Sequence, residues 1–568
     1  MKDMKLGVIM SVKPVMRVLL FGLLFAQVVQ AQEPVTPMSI PLYLSGNFGE
    51  LRGGHFHSGI DFKTQERTGQ PVRAVKDGFV SRVNVSPYGY GNALYINHPD
   101  GTTSVYAHLE RFAPKIETVV RNRQYTTESF AVELYPSEKT FPVKQGERIA
   151  WSGNSGGSGG PHLHFEFRNT KTGKVMDALP YYKKQILDTR PPQVQEIRLY
   201  PQFNAGIVNG KIQNQSFNVS TDKAGRKSVA KTLTAWGKIG VGIKAYDVMN
   251  ETSNIYGVNE IILKMDGKVI YHSLMDGFYF EDSRYINSYI DWQEWIENKS
   301  FYIKSFTEPG NKLRINLPVN KGMITINEEK IYHLEYILKD VYDNTSRLNF
   351  NIEGKPTRIP YTPPAGTYFA YNKDNAFVGQ GVNLKIPAGN LYTDTYLQVV
   401  VIPNDTAFAP VYNIGERIPL HSYCPVTLDI PNDIFPDKSK YGVVQIGRGN
   451  RSWLGGKYLN GRIQAKTREL GSFTVETDNN PPVIRPVKEL NWTANQQILL
   501  RIVDDLSGIQ SYKGTLDGRF VLFEYDAKSN ILSCKYDSQR MKKGEQTLRL
   551  VVTDGAGNQA EYRKQIEF

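Results

Sequence analysis

Cysteine, long apolar runs and blocks of like charge are all scarce in this chain. Only Cys424 and Cys534 serve 568 residues, which excludes a disulfide framework; a bridge between these two is not expected. One apolar run, from Val18 to Ala26, follows Lys2, Lys5, Lys13 and Arg17 and precedes Val29-Gln30-Ala31, with small residues placed as at a cleavage site. That pattern reads as a secretory signal peptide over residues 1–31, too short to span a membrane. No cysteine lies near the cleavage site, so a lipoprotein anchor is not expected. No other run approaches spanning length, and the mature chain is expected to be exported without a membrane span, to the periplasm, the cell envelope or the exterior. The formal net charge is +12, of which residues 1–31 carry +3 and the remainder +9. The surplus is spread out, which argues against a nucleic-acid partner. It suits either weak attraction to an anionic envelope polymer or a plain basic surface. Helical signals are sparse as well, beyond residues 114–124 and 283–297.

What is present is β-rich. Tyrosine is abundant, at 33 residues, and short Val/Ile/Tyr/Phe runs recur, which favours sheet. The length exceeds what one core organises, so several domains are expected. Three proline-marked joints divide the chain: Asp188-Thr189-Arg190-Pro191-Pro192, the stretch 356–364, and Asp478-Asn479-Asn480-Pro481-Pro482. Such stretches stay extended and lack ladder donors. The segments after the first and third joints resemble each other. One runs through Ala245-Tyr246-Asp247, Met265-Asp266-Gly267-Lys268 and Lys339-Asp340-Val341-Tyr342-Asp343-Asn344. The other runs through Ile502-Val503-Asp504-Asp505, Leu516-Asp517-Gly518-Arg519 and Thr553-Asp554-Gly555-Ala556-Gly557-Asn558. Strand, acidic turn, Asp-Gly hairpin, strand and Asp/Asn turn recur in one order, which predicts two copies of one β-sandwich unit. The first copy is longer, with most of the extra residues around 282–327. Between the copies, 365–477 read as a further β-rich domain.

Six of the nine histidines fall between His55 and His164. They frame His57-x-x-x-Asp61, Tyr106-Ala107-His108-Leu109 and Pro161-His162-Leu163-His164-Phe165-Glu166. Hydrolytic zinc takes three protein ligands and keeps a fourth position for water, and imidazole and carboxylate suit it. His57, Asp61 and His164 are able to supply such a set. Residues two apart on a strand share a face, so His162 projects beside His164 without having to ligate.

The stretches Gly54-His55-Phe56-His57-Ser58-Gly59-Ile60-Asp61-Phe62, Gly89-Tyr90-Gly91-Asn92, Tyr106-Ala107-His108-Leu109 and the glycine-rich approach from Gly153 to Glu166 together resemble the M23 peptidases, the lysostaphin/LytM group of cell-wall endopeptidases. The resemblance covers about residues 48–182. It implies a LytM-like antiparallel β-sheet catalytic domain at 40–187. A β-domain with an insertion at 188–355, a β-rich domain at 365–477 and a β-sandwich at 478–568 then follow. The two copies resemble bacterial immunoglobulin-like domains, giving a mainly β protein with about three β-sandwich domains after the catalytic one. The resemblance further implies one Zn2+ per chain held by His57, Asp61 and His164, and catalytic roles for His108 and His162. The expected activity is hydrolysis of peptide crosslinks in peptidoglycan by metal-activated water. Peptidoglycan stem peptides are then the substrate, and envelope proteins are candidate partners for the β tail. The other functional reading is a non-catalytic wall-binding protein or an activator of another cell-wall hydrolase. An adhesin or scaffold carrying an accessory hydrolase is a third.

Neighbouring residues have plainer roles. His55 lacks the family's spacing to Asp61, and His98 sits in the turn Asn97-His98-Pro99-Asp100-Gly101 as an expected exposed hairpin residue. Glu166 reads either as support for a ligand or as an ordinary salt-bridge partner, and Tyr90 and Asn92 either line the groove or serve packing and turns. His272, His333 and His421 are expected to be structural. The chain departs from the compact family pattern by an insertion at 112–141, with a helix-like 114–124. It is expected to wall one end of the groove, where loops commonly set specificity.

Overall fold

The computed structural model describes residues 32–568 apart from 224, 230, 405 and 406; the expected signal peptide lies outside the described residues. The chain is mainly β, with helices confined to short segments. Its N-terminal sheet runs Leu44–Gly46, Ile60–Lys63, His162–Asn169, Thr102–Phe112, Asn92–Asn97, Gly78–Val85 and Pro142–Val143, each strand antiparallel to its neighbour. Alternation along His162–Asn169 turns Leu163, Phe165 and Phe167 into the core with Phe62, Tyr106 and Tyr182. The opposite face carries His162, His164 and Glu166.

The joint at 188 is not a break in the core. One continuous apolar cluster runs from Met38 through Phe278 to Ile352, so the N-terminal sheet and the sheet after it share an interior. Strand Val175–Met176 pairs with His162–Asn169 on one side and with Gly277–Phe278, from the following segment, on the other. A small one-faced sheet must bury its apolar surface against a second layer, and here the next segment supplies it. That next sheet is ten-stranded, and Thr345–Gly354 pairs in parallel with both Lys227–Val229 and Leu233–Tyr246. The extra residues of this copy dock on the loop before Ile60: the Phe56 N–H donates to Ser283 Oγ at 3.0 Å, and Phe56 packs against Phe278 and Tyr289. The helix expected over 283–297 is broken. A 3-10 turn and the short helix Ile286–Tyr289 end where Ile290 turns extended to bridge Ile303, and Asp291 then caps a second helix, Trp292–Asn298.

The segment from Asn375 to Thr477 forms an eight-stranded sheet around its own core. The last segment has two facing four-stranded sheets, with Trp492, Ile498, Leu500, Leu532 and Leu548 between them. Cys424 and Cys534 are buried free thiols in these two separate cores. The last segment folds back onto the insertion after His108, whose helix spans Pro114–Thr127 with proline in its first turn. Arg121 faces Glu524 at 3.6 Å, Glu128 pairs with Lys513, and Tyr125 meets Phe520 edge-on at 5.5 Å.

Candidate active site

Adjacent antiparallel strands place Asp61 directly opposite His164, and His162 opposite Lys63. Gly59 lets the chain come this close: a Cβ there would stand 2.3 Å from Phe165 O. His57 follows the short strand His55–Phe56, and its loop is tied down by the Gly49 N–H to His57 O and the His57 N–H to Glu50 O, both 2.9 Å. The three side chains converge. His57 Nε2 lies 3.1 Å from Asp61 Oδ1 and 3.0 Å from His164 Nδ1, and His164 Nδ1 lies 2.9 Å from Asp61 Oδ1.

The outer nitrogens are committed elsewhere. His57 Nδ1 donates to Asn47 O at 2.7 Å, and His164 Nε2 donates to Glu166 Oε1 at 2.9 Å. In the neutral rings, therefore, both inner nitrogens present lone pairs to a carboxylate oxygen, and such a cluster calls for positive charge at its centre. The electrostatics agree. Burial disfavours a charged His164, yet Asp61 and Glu166 on either side push it up to about 9. Burial likewise raises Asp61, but the His57, His162 and His164 rings more than offset it and hold the carboxyl well below its ordinary range. Two imidazoles and a carboxylate, each second nitrogen fixed by an acceptor, fit the donor set and outer support of a hydrolytic zinc ion.

His108 and His162 border the same space. Their ring centroids are 4.8 Å apart, and His108 lies 5.8 Å from the His164 ring. His162 Nδ1 donates to Gly160 O at 2.9 Å, and its Nε2 is 3.5 Å from Asp61 Oδ1. His108 Nδ1 donates to Ser155 O at 2.8 Å. His108 is left-handed, at φ 57°, where its strand carries one more residue than its neighbour between the pairs Leu94↔Tyr106 and Asn92↔Leu109. Such a bulge re-aims a side chain, here turning the His108 ring toward His162 and His164. Burial, then the neighbouring His164 and His162, push its pKa down to about 3.

Glu166 serves both of the roles open to it. Its Oε1 takes His164, Ser58 Oγ at 2.6 Å and Tyr90 OH at 2.6 Å, while Oε2 takes Arg168 at 2.6 Å. The Tyr90 ring also packs on His164, centroids 5.4 Å apart. Asn92 opens the strand Asn92–Asn97, donates to Leu109 O and Glu110 O, and lines the cavity between this sheet and the last segment. His98 corrects its expectation: it is buried, not exposed, because the turn tip falls at Pro99-Asp100 while the ring points inward to Asp77 O and Ser104 Oγ, both 2.8 Å. His55 is exposed and outside the cluster. Of the tail histidines, His272 pairs with Glu260, His333 with Asn351, and His421 stacks on Tyr285. Sequence reasoning missed Asn47, Ser58 and Arg168. Arg168 was findable, two residues beyond Glu166 on the same strand face; the Asn47 carbonyl leaves no sequence signal.

The family model for peptidase family M23 matches residues 55–129, which include His57, Asp61 and His108. The chain carries an M23 peptidase domain. Among relatives of the M23 domain, the DD-carboxypeptidase/endopeptidase Mpg of Neisseria meningitidis is 35% identical over 118 residues, 21% of this chain and 21% of that protein. The glycyl-glycine endopeptidase ALE-1 of Staphylococcus capitis is 26% identical over 212 residues, 36% of this chain and 51% of its own length. The chain thus spans between about a fifth and a half of these relatives. Among solved structures, the catalytic domain of lysostaphin from Staphylococcus simulans is 27% identical, covering 25% of this chain and 92% of that one, with a TM-score of 0.19. Downstream of the M23 domain, residues 366–478 match the model of the Zu5-like domain.

Proposed function

We propose that this chain is an exported zinc metalloendopeptidase that cuts peptide crosslinks in peptidoglycan. The observation that carries the reading is the triangle of His57 Nε2, Asp61 Oδ1 and His164 Nδ1, with sides of 2.9–3.1 Å, facing His108 and His162 across one cleft. His57, Asp61 and His164 hold the metal, one ion per chain. Zinc there supplies acidification of a water molecule and polarisation of a peptide carbonyl.

The other groups follow from their hydrogen bonds. With Nδ1–H of each ring tied to a backbone carbonyl, the neutral tautomer of His108 and of His162 keeps a lone pair on Nε2, which in His162 lies 3.5 Å from Asp61 Oδ1. Each is then able to accept a proton and, once charged, to return it to the leaving amine or to hydrogen-bond a developing oxyanion. The low pKa of His108 keeps that ring neutral before substrate arrives. Glu166 fixes the His164 tautomer, and Ser58, Tyr90 and Arg168 fix Glu166.

The relatives include both a DD-carboxypeptidase/endopeptidase and a glycyl-glycine endopeptidase, so the bond cut by this chain is open between those two kinds. The groove beside His108 separates this chain from a bare M23 domain, since Asn92, Glu110 and Asn154 face Glu524, Tyr525 and Asp526 of the last segment across it. On this reading, two segments far apart in sequence border the approach to the site at Leu109 and Ser155. Mass spectrometry of purified sacculi digested with the full chain tests the reading, because the new termini name the bond. Zinc-loaded protein that leaves sacculi and muropeptides intact overturns it in favour of a wall-binding or activating role.

A further inference from the structure

The two sheet-forming copies each carry three aspartates at matching positions, and in both the three carboxylates converge. Asp188, Asp247 and Asp340 bring one oxygen each within 4.8 Å of one another, as do Asp478, Asp504 and Asp554. The wiring of the first and third aspartates is alike in both. Asp340 Oδ1 accepts from the Tyr342 and Asn344 N–H groups and Oδ2 from Asn344 Nδ2, which also donates to Asp188 O. Asp554 Oδ1 accepts from the Ala556 and Asn558 N–H groups and Oδ2 from Asn558 Nδ2, which also donates to Asp478 O. The N–H two residues after the first aspartate caps it in each case, from Arg190 or Asn480, and so does the N–H three residues after the second, from Asn250 or Ser507.

The first cluster is the more deeply enclosed. Asp188, Asp247 and Asp340 are 7%, 4% and 5% exposed. Asp188 Oδ2 and Asp247 Oδ1 are buried with no hydrogen-bond partner among the described residues. A buried carboxylate oxygen left bare is costly, and two of them beside a third carboxylate are worse, unless a cation lies between them. The donors are all oxygen, held by backbone N–H groups that orient each carboxylate without covering every lone pair. Oxygen-only, carboxylate-rich and irregular sets suit Ca2+, which takes six to eight ligands at about 2.3–2.6 Å, better than zinc or the strict octahedron of Mg2+.

We propose that Asp188, Asp247 and Asp340 form a calcium-binding site at the joint between the M23 domain and the sheet that follows it. The site fastens a particular loop. Asp247 and Tyr256 exchange backbone hydrogen bonds at 2.8 and 3.0 Å, Tyr256 OH donates to Leu44 O at 2.8 Å, and the Gly257 N–H donates to Asn47 Oδ1 at 2.8 Å. Asn47 O is the acceptor of His57 Nδ1. Calcium thus braces the segment that steadies the His57 ring. The neutral alternative is a cluster that shares protons: burial, then neighbouring carboxylates, push Asp247 up to about 8, and burial pushes Asp340 up to about 6.

Terbium luminescence and thermal unfolding of the zinc-treated full chain separate the two. Tyr342, whose N–H caps Asp340, is placed to sensitise a bound terbium ion. Wild-type protein should give a saturable signal displaced by Ca2+ and not by equal Mg2+. At calcium about a hundred times its Kd, the folded state should gain about a hundredfold over calcium-free protein, raising Tm. Asp247→Asn keeps the shape and removes a charge, so it should unfold no earlier than wild type without calcium and should lose most of both the terbium signal and the calcium-dependent rise in Tm. Undiminished terbium binding in Asp247→Asn, or wild-type stability indifferent to calcium, overturns the proposal and leaves a proton-shared cluster. These readouts do not depend on peptidase activity, so their failure would leave the zinc reading standing.

Discussion

Replacing Glu166 by glutamine is the most searching single change, because it removes one charge and keeps the shape. The native carboxylate accepts from four groups: His164, Ser58, Tyr90 and Arg168. An amide offers one acceptor and one donor. If its oxygen turns to Arg168, its NH2 faces His164 Nε2, and the ring must shift its proton to Nδ1, the nitrogen that faces Asp61 and His57. If the oxygen turns to His164, the NH2 is driven against the guanidinium. The first arrangement spoils the ligand and the second strands a buried Arg168. Loss of such outer support costs about 10- to 100-fold in metal affinity, or about 1.4–2.7 kcal/mol. Stability falls as well. Burial raises the Glu166 pKa, but Arg168 and His164 overcome this and hold it near 2. A folded value below the unfolded one means stability that is present above about pH 4.5 and lost as pH falls through about 2. It amounts to roughly 3 kcal/mol that the glutamine variant should lack at neutral pH. Zinc affinity by chelator competition and urea unfolding read the two effects separately. Unchanged zinc affinity alongside lowered stability would refute the claim that Glu166 sets the ligand's tautomer.

His164→Ala should lose bound zinc and muropeptide cleavage together, whereas His162→Ala should keep zinc, measured by metal analysis, and lose about 10²-fold or more in kcat. Asp177 is buried, and this pushes its pKa up to about 7; the folded state holds a proton the unfolded chain has released, so stability falls as pH rises from about 4 to about 7. Asp177→Asn should abolish that slope and stabilise the protein at pH 8 by about 4 kcal/mol at most, read from urea midpoints across pH. Reversing one cation in each of the two ion pairs that join the insertion helix to the last segment, Arg121→Glu (facing Glu524) with Lys513→Glu (facing Glu128), should leave zinc content unchanged and alter the ratio of crosslink products in a sacculus digest.

The candidate site was legible in sequence because its chemistry depends on residue type and short spacing. Two residues apart on a strand, His162 and His164 had to share a face, and four residues apart around a glycine, His57 and Asp61 could meet. The supporting groups were less visible. The carbonyls of Asn47, Ser155 and Gly160 hold three of the rings, and a backbone carbonyl has no letter of its own. His98 misled because turn composition reports where the chain bends and not which residue of the bend points inward. The proline joints marked where strands end, yet the joint at 188 lies within a shared interior, since extended proline segments say nothing about what packs across them. The Asp/Asn turns at Asp340–Asn344 and Asp554–Asn558 mark matching places in the two copies, and their aspartates are each one of three that meet. Convergence of that kind needs segments far apart in sequence, Asp188 with Asp340 and Asp478 with Asp554, to be brought together.

The clasp between the insertion helix and the last sheets has a consequence for the order of assembly. Glu128 meets Lys513, Asn122 meets Arg540 and Asn154 meets Lys528 across separations of 385, 418 and 374 residues. Contacts that close such long loops form late, after local sheet pairing is complete. A chain made and threaded N-terminus first holds every histidine of the cluster by residue 164, but gains the far wall of its groove only when the final hundred residues have folded. On the proposed function, a chain that ends before residue 478 keeps the shared interior around the histidines and lacks the wall that the last segment supplies.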